Sequence, residues 1–143
     1  DQSQAELAAE ALRMGEHRLA NIEDRSQLLA ILHGLARVAA VSRGQVLADE
    51  LRVLARRYRR DAQYALSIDE VLRLCLVASA SRADLEDWRD IVGDWLTELA
   101  FEEFQGTEGA SLYSHLRCLC HAVPELWASC GKADAALAAY TAH

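Results

Sequence analysis

Three stretches of this chain, 26–41, 68–80 and 111–123, are apolar nearly all the way around a helix. A helix apolar on every side has to be surrounded by other elements, so the chain must fold as layers of helices packed on one another. Each stretch is followed by a second, less apolar helical segment. Capping patterns mark the starts: Asp24 with Gln27, Ser42 with Gln45, Ser67 with Glu70 and Ser81 with Asp84, each polar residue three positions before the next. The helix after Gln45 places Leu47, Leu51, Leu54 and Tyr58 on one face. The longest helix is expected over Asp84 to Phe104, with Leu85, Trp88, Val92, Trp95 and Leu99 as its core stripe. One proline and seven glycines in 143 residues leave few places to stop a helix, and the length suits one domain. The breaks are expected at Arg60–Ala65, at Gln105–Ala110 with its two glycines, and at Pro124. A short segment Glu125–Cys130 then stops at Gly131, and a helix Ala133–Ala142 follows. An opening helix, Gln4 to about Asn21, carries Leu7, Ala11, Leu12, Leu19 and Ile22 on a broad face, with Gly15 weakening its middle.

The hairpins also resemble one another in sequence. Val38–Val46 (VAAVSRGQV) matches Val77–Leu85 (VASASRADL) at an offset of 39, and Val71–Leu76 (VLRLCL) matches His115–Cys120 (HLRCLC) at an offset of 44. A period of about 40–47 residues built from helix pairs is that of HEAT and armadillo repeats. Over residues 24–143 the chain is similar to that family, although the proline and aspartate that often mark HEAT hairpins are missing. The resemblance implies a short α-solenoid: a capping helix over 1–23 and hairpins over 24–66, 67–110 and 111–143, all one domain. A multi-helix bundle without repeats is the alternative fold.

Charge and cysteine content restrict the function. A net charge of −7 argues against general attraction to nucleic acid or anionic lipid. No apolar run reaches 18 residues, so a soluble protein without a membrane span is expected. Cys118 and Cys120, two apart on a helix, point away from each other and cannot bond; with Cys75 and Cys130 they read as reduced thiols of a cytoplasmic protein. Heavy use of Arg and Ala points to a GC-rich bacterial source, and a start at Asp1 points to a fragment of something longer.

Several residue sets compete for a functional role. Arg52, Arg56, Arg59 and Arg60, with Arg57 alongside, form a basic stripe at helical spacing. It is either a partner surface or one side of an internal pairing with the acidic stripe Asp87, Asp90, Asp94 and Glu98 on the equivalent helix of the next hairpin. His33, Arg73 and Arg117 fall at matching places in the three apolar helices and form a candidate polar ladder; side chains snorkelling to water are the plainer reading. Trp88 and Trp95 belong to the core stripe, whereas Trp127, after a proline, is expected to be partly exposed. His115 and Cys118, three apart, could share a metal, but tetrahedral zinc needs further ligands and Cys120 points elsewhere. Cys118 or Ser114 beside a histidine has no oxyanion loop and no orienting acid. The expectation is a non-catalytic scaffold without cofactor, binding another protein or another part of its parent chain as a regulatory or sensor arm. A nucleic-acid module using the arginine stripe, and a His/Cys metal protein or enzyme, are the alternatives.

Overall fold

The computed structural model describes residues 2–42, 45–96 and 106–124, and among these every regular element is a helix. Seven are described: α1 (Gln2–Leu19), α2 (Arg25–Ser42), α3 (Gln45–Arg59), α4 (Ile68–Ala78), α5 (Arg82–Asp87), α6 (Arg89–Leu96) and α7 (Gly106–Ala122). None of them is long and apolar enough to cross a membrane. Trp127, Cys130, Glu98 and Leu99 lie outside the described residues, as do the segments 125–130 and 133–142 and the side chains of Asp94 and Trp95.

The chain divides into two compact units. The first runs to Leu66 and takes in Val77–Ala80; the second takes in Ser67–Leu76 and the chain from Ser81 onward.

In the first unit α1, α2 and α3 pack together. Leu28, Leu32, Leu35, Ala36 and Ala39 of α2 are buried, as are Leu47, Leu51, Leu54 and Tyr58 of α3, the stripe expected from spacing. α2 is not buried on all sides, however. Leu29, Ile31 and Val38 are half-buried and Val41 is 68% exposed, because a helix with neighbours on one side can sink only that side. Gly15 also departs from expectation. It is buried, and a Cβ built there would meet Leu35 Cδ2 at 3.0 Å, so the missing side chain is what lets α1 approach α2 closely. Leu7 is 48% exposed, and Ala8 takes the buried place instead.

The caps behave largely as read. Asp24 Oδ1 accepts from the Gln27 N–H at 2.8 Å, and the Gln27 side chain returns a bond to the Glu23 N–H at 2.6 Å. Ser67 and Glu70 form the full reciprocal box. Ser81 Oγ accepts from the Asp84 N–H at 3.3 Å. Ser42, expected ahead of α3, is the last residue of α2 and is buried. The loop after α3 is tied down by the Leu66 N–H to Tyr58 O at 2.9 Å and by the Arg25 guanidinium to Ala65 O at 3.1 Å.

In the second unit α4 buries Ile68, Val71, Leu72, Leu74 and Cys75, and α7 buries Leu112, Leu116, Leu119 and Cys120. Two boundaries differ from the sequence reading. The expected helix over 84–104 is interrupted at Trp88, whose N–H bonds to Leu85 O at 3.1 Å and whose carbonyl accepts from Ile91 N–H at 3.1 Å. Such i to i+3 bonds tighten the turn and bring residues three apart into line. Trp88 and Ile91 are accordingly both buried, with Val92 beside them. Gly106–Ala110, expected as a break, is instead the beginning of α7. A glycine costs a helix only about 1 kcal/mol, which is affordable where the helix continues through a strong buried stripe.

Candidate interaction surface

α3 opposes two faces. Its inner stripe is sealed, whereas its outer side carries Val46 at 74% and Val53 at 57% exposure, seven residues and so two turns apart. Asp49, Arg56 and Arg57 are exposed on the same outer side, Glu50 is half-buried at its edge, and Arg60 is exposed just beyond the end of the helix. Around the helix, Asp49 and Arg56 flank the valine row on one side, and Glu50 and Arg57 flank it on the other. The arginine stripe read from the sequence therefore divides: Arg56 faces outward, Arg52 and Arg59 are half-buried on the shoulder of the helix, and Arg60 is exposed in the turn that follows it.

Local pairing explains part of this pattern. Asp49 pairs with Arg52 one turn on and accepts from the Gln45 amide at 2.8 Å. The Arg57 guanidinium lies 5.5 Å from the centre of the Tyr58 ring. Arg56, Arg57 and Arg59 crowd the last turn, where cations favour the negative end of the helix dipole. Asp61 then ends the helix by accepting from the N–H groups of Tyr64 and Gln63, both at 2.8 Å. Those two bonds hold its carboxyl below the ordinary carboxylate range, with a smaller contribution from Arg57. None of this accounts for the exposed valines. The acids Asp87 and Asp90, on α5 and α6, are exposed as well.

The second polar feature belongs to the other unit. Asp69 at the start of α4 holds two residues of α7: Ser111 Oγ donates to Asp69 Oδ2 at 2.9 Å, and His115 Nδ1 lies 2.6 Å from Asp69 Oδ1. The side chains of His115 and Asp69 are 24% and 17% exposed. Sequence reading found His115 but missed Asp69 and Ser111. Ser111 stood four residues before it, while Asp69 is brought there only by packing across 46 positions. Ser, His and Asp are the residue types of a hydrolytic triad, but the geometry is different. A triad sets serine and acid on opposite ring nitrogens, so that one nitrogen takes the serine proton while the other is held. Here Ser111 and Asp69 both lie on Nδ1, Ser111 at 3.4 Å, and the serine hydroxyl is directed to the carboxylate. The cluster clamps α4 to α7.

With its ring turned to Asp69, His115 is not joined by Cys118, which is exposed, and no three metal-ligating side chains converge among the described residues. Cys75 and Cys120 are buried and outside any disulfide. In the proposed ladder, His33 is half-buried, while Arg73 and Arg117 are exposed on α4 and α7. Arg117 lies over the ring of Tyr113 on its own helix at 5.6 Å and donates to its hydroxyl at 3.3 Å. A groove of about 650 Å³ runs between the end of α1 and the start of α2, lined by His17, Arg18, Asn21, Ile22, Gln27 and Ile31 among others. Two of its polar groups are spent on the chain itself, the Asn21 amide on His17 O and the Gln27 carbonyl on the Glu23 N–H. Comparison with protein-family models, with curated proteins and with solved structures finds no match for this chain.

Proposed function

We propose that the chain is a non-catalytic helical module, a cytoplasmic scaffold or regulatory arm, that binds protein through the outward face of α3. The observation that carries this reading is the pair Val46 and Val53, 74% and 57% exposed in one row, set among exposed arginines. Single exposed valines need no explanation, but a row two turns long on an otherwise charged helix is the pattern of a helix-packing surface. Protein fits this face better than nucleic acid. A phosphate backbone is met by cations alone, and here Asp49 and Glu50 stand in the same patch. Base stacking needs exposed aromatic faces, and Tyr58 is buried. Among the described residues two buried thiols and an exposed one, none of them in a disulfide, agree with a reducing compartment.

The test is a photo-crosslinking amino acid placed at position 53 in the chain expressed in cells, with a second chain labelled at Arg73 as the comparison. A discrete protein adduct at 53 supports the reading. A nucleic-acid adduct, or no adduct above that at 73, overturns it.

A further inference from the structure

We infer that the occupant of the α3 face is a second copy of this chain, its α3 lying antiparallel with the two Val53 side chains meeting at the two-fold axis; this rests on the protein-binding reading above. The evidence is the symmetry of charge about Val53. Asp49 lies four residues before it and Arg57 four after; Glu50 lies three before and Arg56 three after. At a rise of about 1.5 Å per residue, the acids stand about 4.5–6 Å to one side of Val53 and the arginines the same distance to the other.

A two-fold axis that reverses the helix direction keeps each residue on its own flank of the interface. Asp49 and Arg56 share one flank of the valine row, and Glu50 and Arg57 share the other. Asp49 therefore meets Arg56 of the second copy, and Glu50 meets Arg57 of the second copy. Each contact occurs twice, giving four opposite-charge contacts around one Val53 pair. Val46, seven residues from the axis, falls beside the C-terminal end of α3 of the second copy. The parallel arrangement in the same register exchanges the flanks and sets Asp49 against Glu50 and Arg56 against Arg57, so like charges exclude it. A foreign acidic helix would neutralise the arginines but bring its acids against Asp49 and Glu50. The face thus complements itself better than it complements a ligand of single sign. With two valines per copy the association is weak and depends on charge, so it is sensitive to salt.

The experiment is sedimentation equilibrium of the full chain at about 100 µM, a range suited to small, largely polar interfaces. It compares the wild type, D49R/E50R, R56E/R57E and an equimolar mixture of the two variants, with circular dichroism establishing that each is folded. The wild type is expected to dimerise, with a dissociation constant at least about tenfold higher at high salt than at low salt. Each variant alone opposes like charges and is expected to lose at least about tenfold in affinity. The mixture restores all four contacts and is expected to dimerise at least as tightly as the wild type. A monomeric wild type, variants that dimerise as well as it does, or a mixture no tighter than its components would overturn the inference. If either variant fails to fold, a nitroxide pair at position 53 in the otherwise wild-type chain decides the case: labels close together support the axis at Val53, and labels far apart or without a partner overturn it. These results are separable from the protein-binding reading. A monomeric chain that crosslinks from position 53 to a different protein retains that reading and loses only the second copy.

Discussion

α3 and α7 are built alike and used differently. Each seals one stripe, Leu47, Leu51, Leu54 and Tyr58 on α3 and Leu112, Leu116, Leu119 and Cys120 on α7. On α7 the shoulder residues Ser111 and His115 are bound by Asp69 of α4, and Arg117 is laid over Tyr113 of its own helix. On α3 the outer residues alternate valine with charge and look away from the packed stripe. Polar groups on α7 serve the unit that holds them, whereas the outer face of α3 adds little to its own unit. A surface that adds little to the fold is where function is to be sought.

The largest effect should come from the interior. Leu72 is fully buried, and Leu72→Ala is expected to cost about 2–5 kcal/mol in chemical denaturation. Val53→Ala should change stability by less than about 0.5 kcal/mol, as an exposed substitution does. A comparable loss at both sites would erase the contrast between sealed and open faces.

The glycines come next. Gly15→Ala puts a methyl 3.0 Å from Leu35 Cδ2 and is expected to destabilise by about 1–3 kcal/mol. Gly34→Ala meets nothing within 4 Å and should stabilise by about 0.5–1 kcal/mol through helix propensity. Thermal melts of the two variants should move in opposite directions.

Asp69→Asn tests the clamp. It removes the charge that holds Ser111 and His115 and is expected to cost about 1–2 kcal/mol. A double-mutant cycle with His115→Ala should show coupling.

The smallest effect lies at Asp61. Its carboxyl titrates below the unfolded value of about 3.9 because it accepts N–H bonds from Tyr64 and Gln63. A depressed folded value means that its contribution is complete above about pH 3.9 and is lost as pH falls through the folded value. A carboxyl NMR titration should therefore give a midpoint below about 3.9, and Asp61→Asn should remove the acid-dependent opening of the turn after α3. A midpoint at or above that value would show that the turn does not bind the carboxylate.

Much of the fold was legible because period and capping are local. The α3 stripe, the Ser67–Glu70 box and the loop after Arg59 follow from residues within two turns of each other. What escaped was decided by neighbours distant in sequence. Gly15 is a weak helix former until Leu35 needs its space. The tightened turn at Trp88 comes with the burial of an indole, and Asp69 reaches His115 only once α4 and α7 are packed. The candidate surface was half legible. The arginines were visible as a stripe, but the valines beside them became informative only when Val46 and Val53 were found exposed rather than covered.

The central claim is that the outer face of α3 is made for a second protein surface and not for the fold. The most direct measurement joins stability to contact in one variant, R56E/R57E, carrying the photo-crosslinker at position 53. The expected result is an unfolding free energy within about 0.5 kcal/mol of the wild type's, together with loss of the protein adduct. A loss of more than about 2 kcal/mol with the adduct undiminished would contradict it, since the arginines would then be serving the fold.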